Sequence, residues 1–381
     1  MDTINQFYGY GSSALGYIIP FLFVLTIVIF IHELGHFLVA RWCGVGIKVF
    51  SIGFGPEIFG FYDRHGTRWR LSWVPLGGYV KFIDDDNVAS APGRKAFEAL
   101  SEEERKRTFQ GKSLAQRSAI VAAGPIANFI LAIVIFTAIF SAFGERVTAP
   151  KVDVVSAGSA AERAGFQPGD TVISIDGSTI DSFAAMQRIV SMSPEEELHF
   201  VVDRSGSNLD ITATPERKEI TDRFGNELRI GLLGIQRSTS PDDWTLERHD
   251  PLTALGMAVK ECYFVITNSL SYLYKVVLGR ESADQLGGPI RIAQISGQVA
   301  SVSFVALLNL AAIISVSIGM INLFPIPMLD GGHLVFYGIE AIRGRPLSES
   351  TQEISFRIGL AFVLMLMIFA TWNDLIHLKF L

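Results

Sequence analysis

The chain has 381 residues, of which 49% are hydrophobic and only 18% are charged, and its formal net charge is −6. Soluble domains carry about a quarter charged residues, so this composition excludes an ordinary soluble protein. The two cysteines, Cys43 and Cys262, lie far apart and predict neither a disulfide framework nor a thiolate zinc site. No basic tract is present, so nucleic acid is not an expected partner.

Four apolar stretches are candidates for crossing a bilayer, which requires about 20 residues. With their flanks we assign them to residues 1–40, 116–143, 300–333 and 354–373. The first is a poor signal peptide, because no Lys or Arg precedes Tyr17 and the apolar region is too long. The chain is therefore predicted to be a polytopic α-helical membrane protein with four transmembrane helices.

The distribution of Lys and Arg predicts the orientation of these helices. Residues 41–115 are rich in Lys and Arg, whereas residues 1–16 contain neither. Positively charged loops resist translocation, so we place 41–115 in the cytoplasm and the N-terminus outside. Four spans then put the region from 144 to about 300 outside, and the loop containing Arg343 and Arg345 inside.

The exported region begins with a pattern of short β-type runs. Within 146–236 these runs cover 152–155, 171–175, 198–202 and 229–232, and 182–191 has helical periodicity. They predict a small mixed α/β domain. Residues 250–279 then carry apolar residues at helical spacing, which predicts an amphipathic helix on the outer surface. A fifth span is the alternative there, which Lys260 and Glu261 disfavour.

The first span contains a pattern typical of zinc sites. His32, Glu33 and His36 form HExxH within a helical apolar run. At i and i+4 the two imidazoles lie on one helix face and can bind one zinc ion, while Glu33 can act as general base on water. Ionisable groups inside a membrane helix are costly and are functional by default. The alternative is a pair of histidines that are merely hydrogen-bonded inside a helix bundle.

A third ligand is expected at the end of the third span. Residues 322–333 read NLFPIPMLDGGH, and the two prolines must break the helix. Irregular backbone at membrane depth is tolerated only where protein or a cavity surrounds it. Asp330 would arrive at the cytoplasmic end, as His32 and His36 do, and His333 is the competing ligand.

Several motifs together resemble the site-2 protease family of intramembrane zinc metalloproteases, and most closely its bacterial regulator-of-sigma-E protease branch. They are HExxH, NxxPxPxLDG over 322–331 and the sequence GPIAN at 124–128. Residues 50–56 and 75–81 are similar to the family's membrane re-entrant β-hairpin. Residues 158–170 and 175–177 resemble a bacterial, circularly permuted PDZ domain. The best-known members of the branch have two PDZ domains, whereas only one fits here.

The resemblance implies four transmembrane helices, a re-entrant β-hairpin within 41–115 and an inserted PDZ domain. It implies Zn2+ as cofactor, with His32, His36 and Asp330 as ligands and Glu33 as catalytic acid/base. It implies that Asn322 contacts substrate or organises the site, with Pro325 and Pro327 beside it, and that Ile230, Gly231 and Leu232 lie in the PDZ groove, unless the PDZ fold is only a spacer. Residues 68–81 can offer a β edge to an unwound substrate, which makes Gly78 and Tyr79 further substrate-binding candidates. The alternative is an interfacial hairpin without substrate contact.

The same resemblance implies that the substrates are single-pass membrane proteins, such as anti-sigma factors or signal-peptide remnants. The PDZ domain would take a peptide or chain terminus as its ligand, and the location would be a Gram-negative inner membrane with the PDZ domain in the periplasm. Two other functions remain open. A PDZ-bearing scaffold or chaperone with a structural metal leaves Glu33 without a purpose. A metal transporter would need polar residues in further spans, and the second span has no charge.

Overall fold

The computed structural model describes residues 2–84, 100–221, 227–237, 244–283 and 286–377. Residues 85–99 of the predicted cytoplasmic segment and 222–226 of the predicted PDZ segment lie outside this description. The chain divides into two compact units. The first consists of Met1–Ala138 with Leu252–Leu381, and the second of Ile139–Pro251.

The described helices are, in chain order, α1 (Asp2–Trp42), α2 (Glu102–Arg107), α3 (Leu114–Ala138, continued by a π-helical turn over Ile139–Phe143), α4 (Ala160–Ala164), α5 (Phe183–Met192), α6 (Pro251–Val277), α7 (Pro289–Val302), α8 (Phe304–Asn322), α9 (Asp330–Arg343) and α10 (Glu349–His377). The described strands are β1 (Ile47–Tyr62), β2 (Arg68–Phe82), β3 (Glu145–Val147), β4 (Val154–Val155), β5 (Thr171–Ile175), β6 (Ser178–Thr179), β7 (Leu198–Arg204), β8 (Ser207–Ala213), β9 (Glu216–Thr221), β10 (Glu227–Leu232), β11 (Ile235–Gln236) and β12 (Thr245–Glu247).

Four described helices are long and apolar enough to cross a membrane, as the sequence predicts. The candidate spans are Leu15–Trp42, Leu114–Phe143, Phe304–Asn322 and Glu349–Ile376. Helices α1, α3 and α8 pack on one another, with Val24 and Val28 of α1 buried against Leu307 and Ala311 of α8. Small residues permit the closest approach, because a Cβ at Gly35 would meet backbone and side-chain atoms of α3.

The segment predicted as one third span, 300–333, contains the last residues of α7, all of α8, a turn and the start of α9. The spanning helix α8 begins after Ser303, whose hydroxyl caps the Ala306 N–H at 3.0 Å. It ends at Asn322, and α9 starts at Asp330. Pro325 and Pro327 lack an N–H and prevent the helix from continuing through 323–329. Asp330 therefore lies in the first turn of a separate helix.

Strands β1 and β2 are long and bent, and together they form a sheet in the first unit. Residues 49–52 of β1 pair on one side with 78–81 of β2 and on the other with 68–71. The remaining part of β1, from Glu57 to Tyr62, pairs with 68–72. Phe50 is buried against Phe37 of α1, with ring centroids 5.3 Å apart, so the sheet is anchored to the first span.

Hydrogen bonds connect the C-terminal end of α10 to the start of α7. The carboxylate of Asp374 is buried and accepts backbone N–H bonds from Gly288, Ile290 and Arg291 at 2.8, 3.0 and 3.1 Å. It thus satisfies donors that the first turn of a helix leaves unpaired. Helix α6, within the predicted 250–279, exposes large apolar side chains such as Leu252 and Val277.

The second unit is a small mixed α/β fold around its own core. Strands β6, β5, β7 and β8 form an antiparallel sheet, β9 pairs with β10, and β11 pairs with β4. Helix α5 begins at the cap Ser182, and its apolar face buries Met186 and Val190 against the sheet. Strand β3 pairs with β12, which brings the two ends of the unit together. The elements predicted at 171–175, 182–191, 198–202 and 229–232 agree with β5, α5, β7 and β10 to within a few residues.

Candidate metal centre

Three metal-ligand side chains meet between α1 and α9. The Nε2 atoms of His32 and His36, one helical turn apart on α1, are separated by 3.2 Å. The Oδ2 atom of Asp330 lies 3.3 Å from Nε2 of His32 and 3.5 Å from Nε2 of His36. All three side chains are largely buried, with 12%, 14% and 17% of their surface exposed.

The geometry of this cluster fits a zinc ion. Zinc bonds of about 2.0–2.1 Å in a tetrahedron place neighbouring ligand atoms about 3.3–3.4 Å apart. The three separations in the cluster match that value closely. The buried Oδ2 of Asp330 makes no hydrogen bond in the described part of the chain, so it is an acceptor that a cation would satisfy. Three protein ligands leave a fourth position open, as in catalytic zinc sites.

Contacts at the far ring nitrogens orient both imidazoles. The Nδ1–H of His36 donates to the Ile120 carbonyl at 2.8 Å, which leaves the Nε2 lone pair directed at the cluster. The Nδ1 of His32 lies 3.3 Å from the Asn128 amide on α3, and the buried Asn128 Oδ1 has no hydrogen-bond partner among the described residues. Exchanging the two amide atoms of Asn128 lets Oδ1 accept from Nδ1–H of His32, which again frees Nε2 for a metal.

Gly124 of α3 provides the space in which the two imidazoles lie. A Cβ at this position would overlap Nε2 of His36 and approach Cε1 of His32. No other residue type leaves this surface of α3 open, because every other side chain begins with a Cβ. Only glycine therefore fits at the first position of the GPIAN sequence.

Glu33 lies between α1 and the 78–82 segment of β2. A Cβ at Gly78 would come within 3.0 Å of the Glu33 Cγ, so the strand backbone passes directly over this side chain. The backbone N–H of Val80 is directed at the Glu33 carboxylate, and the carboxylate interacts electrostatically with both histidines and with Asp330. A carboxylate in this position can exchange a proton with a water molecule beside the cluster.

The turn before α9 and the body of α9 hold Asp330 in place. Cβ atoms at Gly331 and Gly332 would overlap carbonyls of the 323–326 segment, so the turn folds tightly over the first turn of α9. Met328 has a φ of +89°, a strained backbone conformation for a non-glycine residue. Further along α9, Glu340 forms a bidentate ion pair with Arg117 of α3, with atoms 2.6 and 3.2 Å apart.

The competing ligand, His333, does not join the cluster of His32, His36 and Asp330. Its ring lies 5.2 Å from that of Phe356 and 6.5 Å from that of Tyr337.

The PxP turn connects the end of α8 to the start of α9, where Asp330 lies. Asn322 is the last residue of α8 and is half-buried. Pro325 is exposed, and the Pro327 carbonyl packs against Gly359 of α10.

The remaining predicted substrate residues lie in two different sheets. Gly78 is next to Glu33, as described above, whereas the Tyr79 ring stacks on Phe54 at 6.1 Å. Ile230, Gly231 and Leu232 belong to β10 in the second unit and pair with Lys218, Arg217 and Glu216 of β9. A Cβ at Gly231 would overlap the Val190 carbonyl, so β10 lies directly against the end of α5 at this point.

Three supporting contacts of the site were not predicted from the sequence. They are the contact of the Asn128 amide with His32, the hydrogen bond that the Ile120 carbonyl accepts from His36, and the ion pair between Arg117 and Glu340. A signal existed for Asn128, since it is a lone amide in an otherwise apolar span. Backbone carbonyls carry no sequence signal.

Comparison with known proteins gives the family. The family model described as Peptidase family M50 matches residues 20–366, which is most of the chain. The chain belongs to peptidase family M50. A relative in Rhizobium meliloti, named provisionally as a zinc metalloprotease, is 50% identical over 95% of this chain and 97% of its own. Metalloprotease MmpA of Caulobacter vibrioides is 39% identical over 94% of this chain and 95% of its own.

Membership of family M50, together with four apolar helices, makes the protein an integral membrane zinc metalloprotease. Its cofactor is Zn2+, and the cluster of His32, His36 and Asp330 has the donor set for that ion. Among solved structures, the PDZ domain of an SdrC-like protein from Listeria monocytogenes covers 22% of this chain and 82% of its own, at 16% identity and a TM-score of 0.18.

Proposed function

We propose that His32, His36 and Asp330 are the zinc ligands of this M50 protease and that Glu33 is its catalytic acid/base. The observation that supports the assignment most strongly is the triangle of two nitrogens and one oxygen with sides of 3.2, 3.3 and 3.5 Å. Two helices far apart in sequence supply it, and each imidazole has a contact that directs Nε2 inward.

The reaction is hydrolysis of a peptide bond. Zinc, when bound, supplies Lewis acidity to the scissile carbonyl and to the attacking water. Glu33 takes a proton from that water as the C–O bond forms, and returns it to the leaving nitrogen as the C–N bond breaks. No covalent acyl-enzyme forms, so reagents that modify serine or cysteine proteases are expected to have no effect.

The proposed substrates are single-pass membrane proteins, including anti-sigma factors and signal-peptide remnants. A peptide bond in a membrane helix is hydrogen-bonded and must be unwound before it is cleaved. In the described part of the chain, 78–82 pairs only with the 47–52 segment of β1, and it passes over Glu33. An unwound segment can add to this strand. Gly78 and Tyr79 would contact it from one side, and Asn322, Pro325 and Pro327 from the other.

The sheet of β1 and β2 is proposed to enter the membrane as a re-entrant hairpin. Several of its large apolar side chains are exposed, among them Phe54, Ile58, Phe59 and Trp73. Such a surface is unfavourable in water and is expected where the sheet meets lipid. The proposed topology has residues 41–115 on the cytoplasmic side of a Gram-negative inner membrane, and α6, within 250–279, on the opposite surface.

The second unit is proposed to be a periplasmic PDZ domain over 146–236. Its sheet and helix α5 form an independent core, and a peptide or chain terminus would bind near Ile230, Gly231 and Leu232. In this position it would select substrates before they reach the metal centre. Selection by an extramembrane domain leaves the chemistry itself to the first unit.

The substitution Glu33→Gln tests the assigned role of Glu33. It removes the proton acceptor and keeps the shape of the side chain, so cleavage of a single-pass reporter substrate should fall by at least about a hundredfold. Zinc content should stay at the wild-type level, because Glu33 is not a ligand.

The matched control is Glu353→Gln, which breaks an exposed ion pair with Arg357 on α10 and should leave cleavage unchanged. Undiminished activity of Glu33→Gln would remove Glu33 from the mechanism.

A further inference from the structure

A cavity of about 370 Å³ opens at the end of α1 that follows the metal site. Its lining residues include Arg41, His65 and Arg107, together with 44–47. None of the described residues in its lining carries a carboxylate. It therefore brings the cationic side chains of Arg41 and Arg107 to one point of the surface.

The charges around this cavity do not cancel. Arg41 forms an ion pair with Asp63, which neutralises one positive charge. The Arg107 side chain has no hydrogen bond or ion pair with any described residue. The Lys112 ammonium, which donates to the Lys106 carbonyl, would lie 3.6 Å from a Cβ at Gly44. Both hydrogen bonds of Arg41 use Nη2, so its Nη1 and Nε remain available as donors. The cavity thus carries a net positive charge.

The C-terminal end of α1 repels an anion in the cavity only weakly. A helix C-terminus carries partial negative charge on its last carbonyls. Here the carbonyls of Val39, Ala40 and Arg41 each accept a backbone N–H at 2.9 Å from residues 43–45. Gly44 permits this arrangement with a φ of +73°. The side-chain cations therefore dominate the field in the cavity.

The position of the cavity along α1 indicates the source of its ligand. Arg41 and Trp42 end the candidate span, so the cavity lies at the depth of the bilayer headgroups. The Trp42 side chain is 89% exposed, as is common for tryptophan at a membrane interface. Leu38, one turn deeper, is also exposed and can lie along an acyl chain. We propose that this cavity binds the phosphate group of an anionic phospholipid.

The test uses the full chain purified in dodecyl maltoside and titrated separately with dihexanoyl phosphatidylglycerol, dihexanoyl phosphatidylcholine and inorganic phosphate. Native mass spectrometry counts the bound species. The wild type should bind phosphatidylglycerol in preference to both other probes. Loss of one cation near a membrane surface weakens such binding by about fivefold, which is the effect expected for Arg107→Gln. Arg107→Lys, which keeps the charge, should restore most of the binding.

The matched control is Arg64→Gln, which removes the same charge from the exposed turn between β1 and β2 outside the cavity lining. It should bind as the wild type does. Equal binding of phosphatidylglycerol by wild type and Arg107→Gln would overturn the proposal. A wild type that binds no phosphatidylglycerol would also overturn it. Inorganic phosphate binding as tightly as phosphatidylglycerol would support a phosphate site and overturn the lipid as its source.

Discussion

At the scale of single residues, the orientation of the metal-binding imidazoles depends on residues that are not themselves ligands. Asn128 is fully buried on α3, and its backbone carbonyl accepts a bond from the Ser315 hydroxyl of α8 at 2.8 Å. Its side-chain amide then meets Nδ1 of His32. A buried amide in an apolar span is costly, so it is expected to be retained for a role of this kind. Three spanning helices are thereby connected at one imidazole.

The substitution Asn128→Ala tests this positioning role. It removes the partner of His32 Nδ1, and loss of such an outer contact lowers metal affinity by about 10- to 100-fold. The measurement is the chelator concentration at which the purified protein loses half of its zinc. Ser317→Ala removes a hydroxyl that bonds only within α8, to the Ile313 carbonyl, and serves as control. Unchanged zinc retention in Asn128→Ala would refute the positioning role.

A second residue-scale prediction concerns pH and the second unit. Burial alone raises the pKa of the Asp170 carboxyl, but hydrogen bonds from Arg204 and from the Gln167 N–H outweigh burial and hold the pKa below its ordinary value. Arg204 donates from Nε and Nη2, each at 2.7 Å. A pKa lowered by folding stabilises the folded state above the unfolded pKa of about 3.9, and this stability is lost as pH falls through the lower folded value.

The unfolding temperature of the second unit should therefore be level from neutral pH to about pH 5 and decrease below about pH 4. In Asp170→Asn the transition should lie several degrees lower at pH 7 and should change less on acidification. Differential scanning calorimetry of the full chain measures both. Arg163→Gln, which removes a highly exposed partner of Glu216, is the control. If Asp170→Asn is destabilised by acid as much as the wild type, the pH dependence must come from other carboxylates.

At the scale of elements, the approach of α1 to α3 decides whether the cluster can form. Gly35 brings the two helices together, and Gly124 leaves the volume that the imidazoles occupy. The sequence places both in motifs, Gly35 in HExxH and Gly124 in GPIAN, but gives neither a steric role. Their function is visible only once the rotation of each helix about its axis is known.

Gly124→Ala tests this steric requirement with the smallest available change. Its Cβ would displace His36, so zinc content and cleavage should both fall steeply while the helix remains intact. Gly338→Ala on α9 is the matched control, because no atom lies within 4 Å of its added Cβ. There the change should be neutral or slightly stabilising, by about 0.5–1 kcal/mol from backbone entropy. Full activity of Gly124→Ala would mean that the cluster tolerates displacement of His36, which would contradict the steric requirement.

The elements could be predicted from the sequence wherever a single periodic signal dominates. The four spans and the helix at 182–191 are of this kind. Helix α7 was not predicted, because its first turn is capped by Asp374, which is distant in sequence. The two-sided pairing of 49–52 was not predicted either, since it depends on bends in β1 and β2 that alternation does not reveal.

At the scale of the whole molecule, the site joins the first span to the helix that follows the third candidate span. The motifs predicted which residues would meet, and the structure brings His32, His36 and Asp330 together within 4.8 Å. The ion pair of Arg117 with Glu340 connects α3 to α9 beside this site. The sequence does not predict this pair, because the pairing of residues across helices depends on their packing.

The zinc content of the purified full-length protein tests the central claim most directly. Wild type and Glu33→Gln should each hold about one zinc per chain, whereas His36→Ala and Asp330→Ala should hold less than about a tenth of that. This result would connect a residue of α1 and a residue of α9 to one metal and would separate binding from proton transfer. Full zinc retention by Asp330→Ala, or a folded wild type without zinc, would contradict the account.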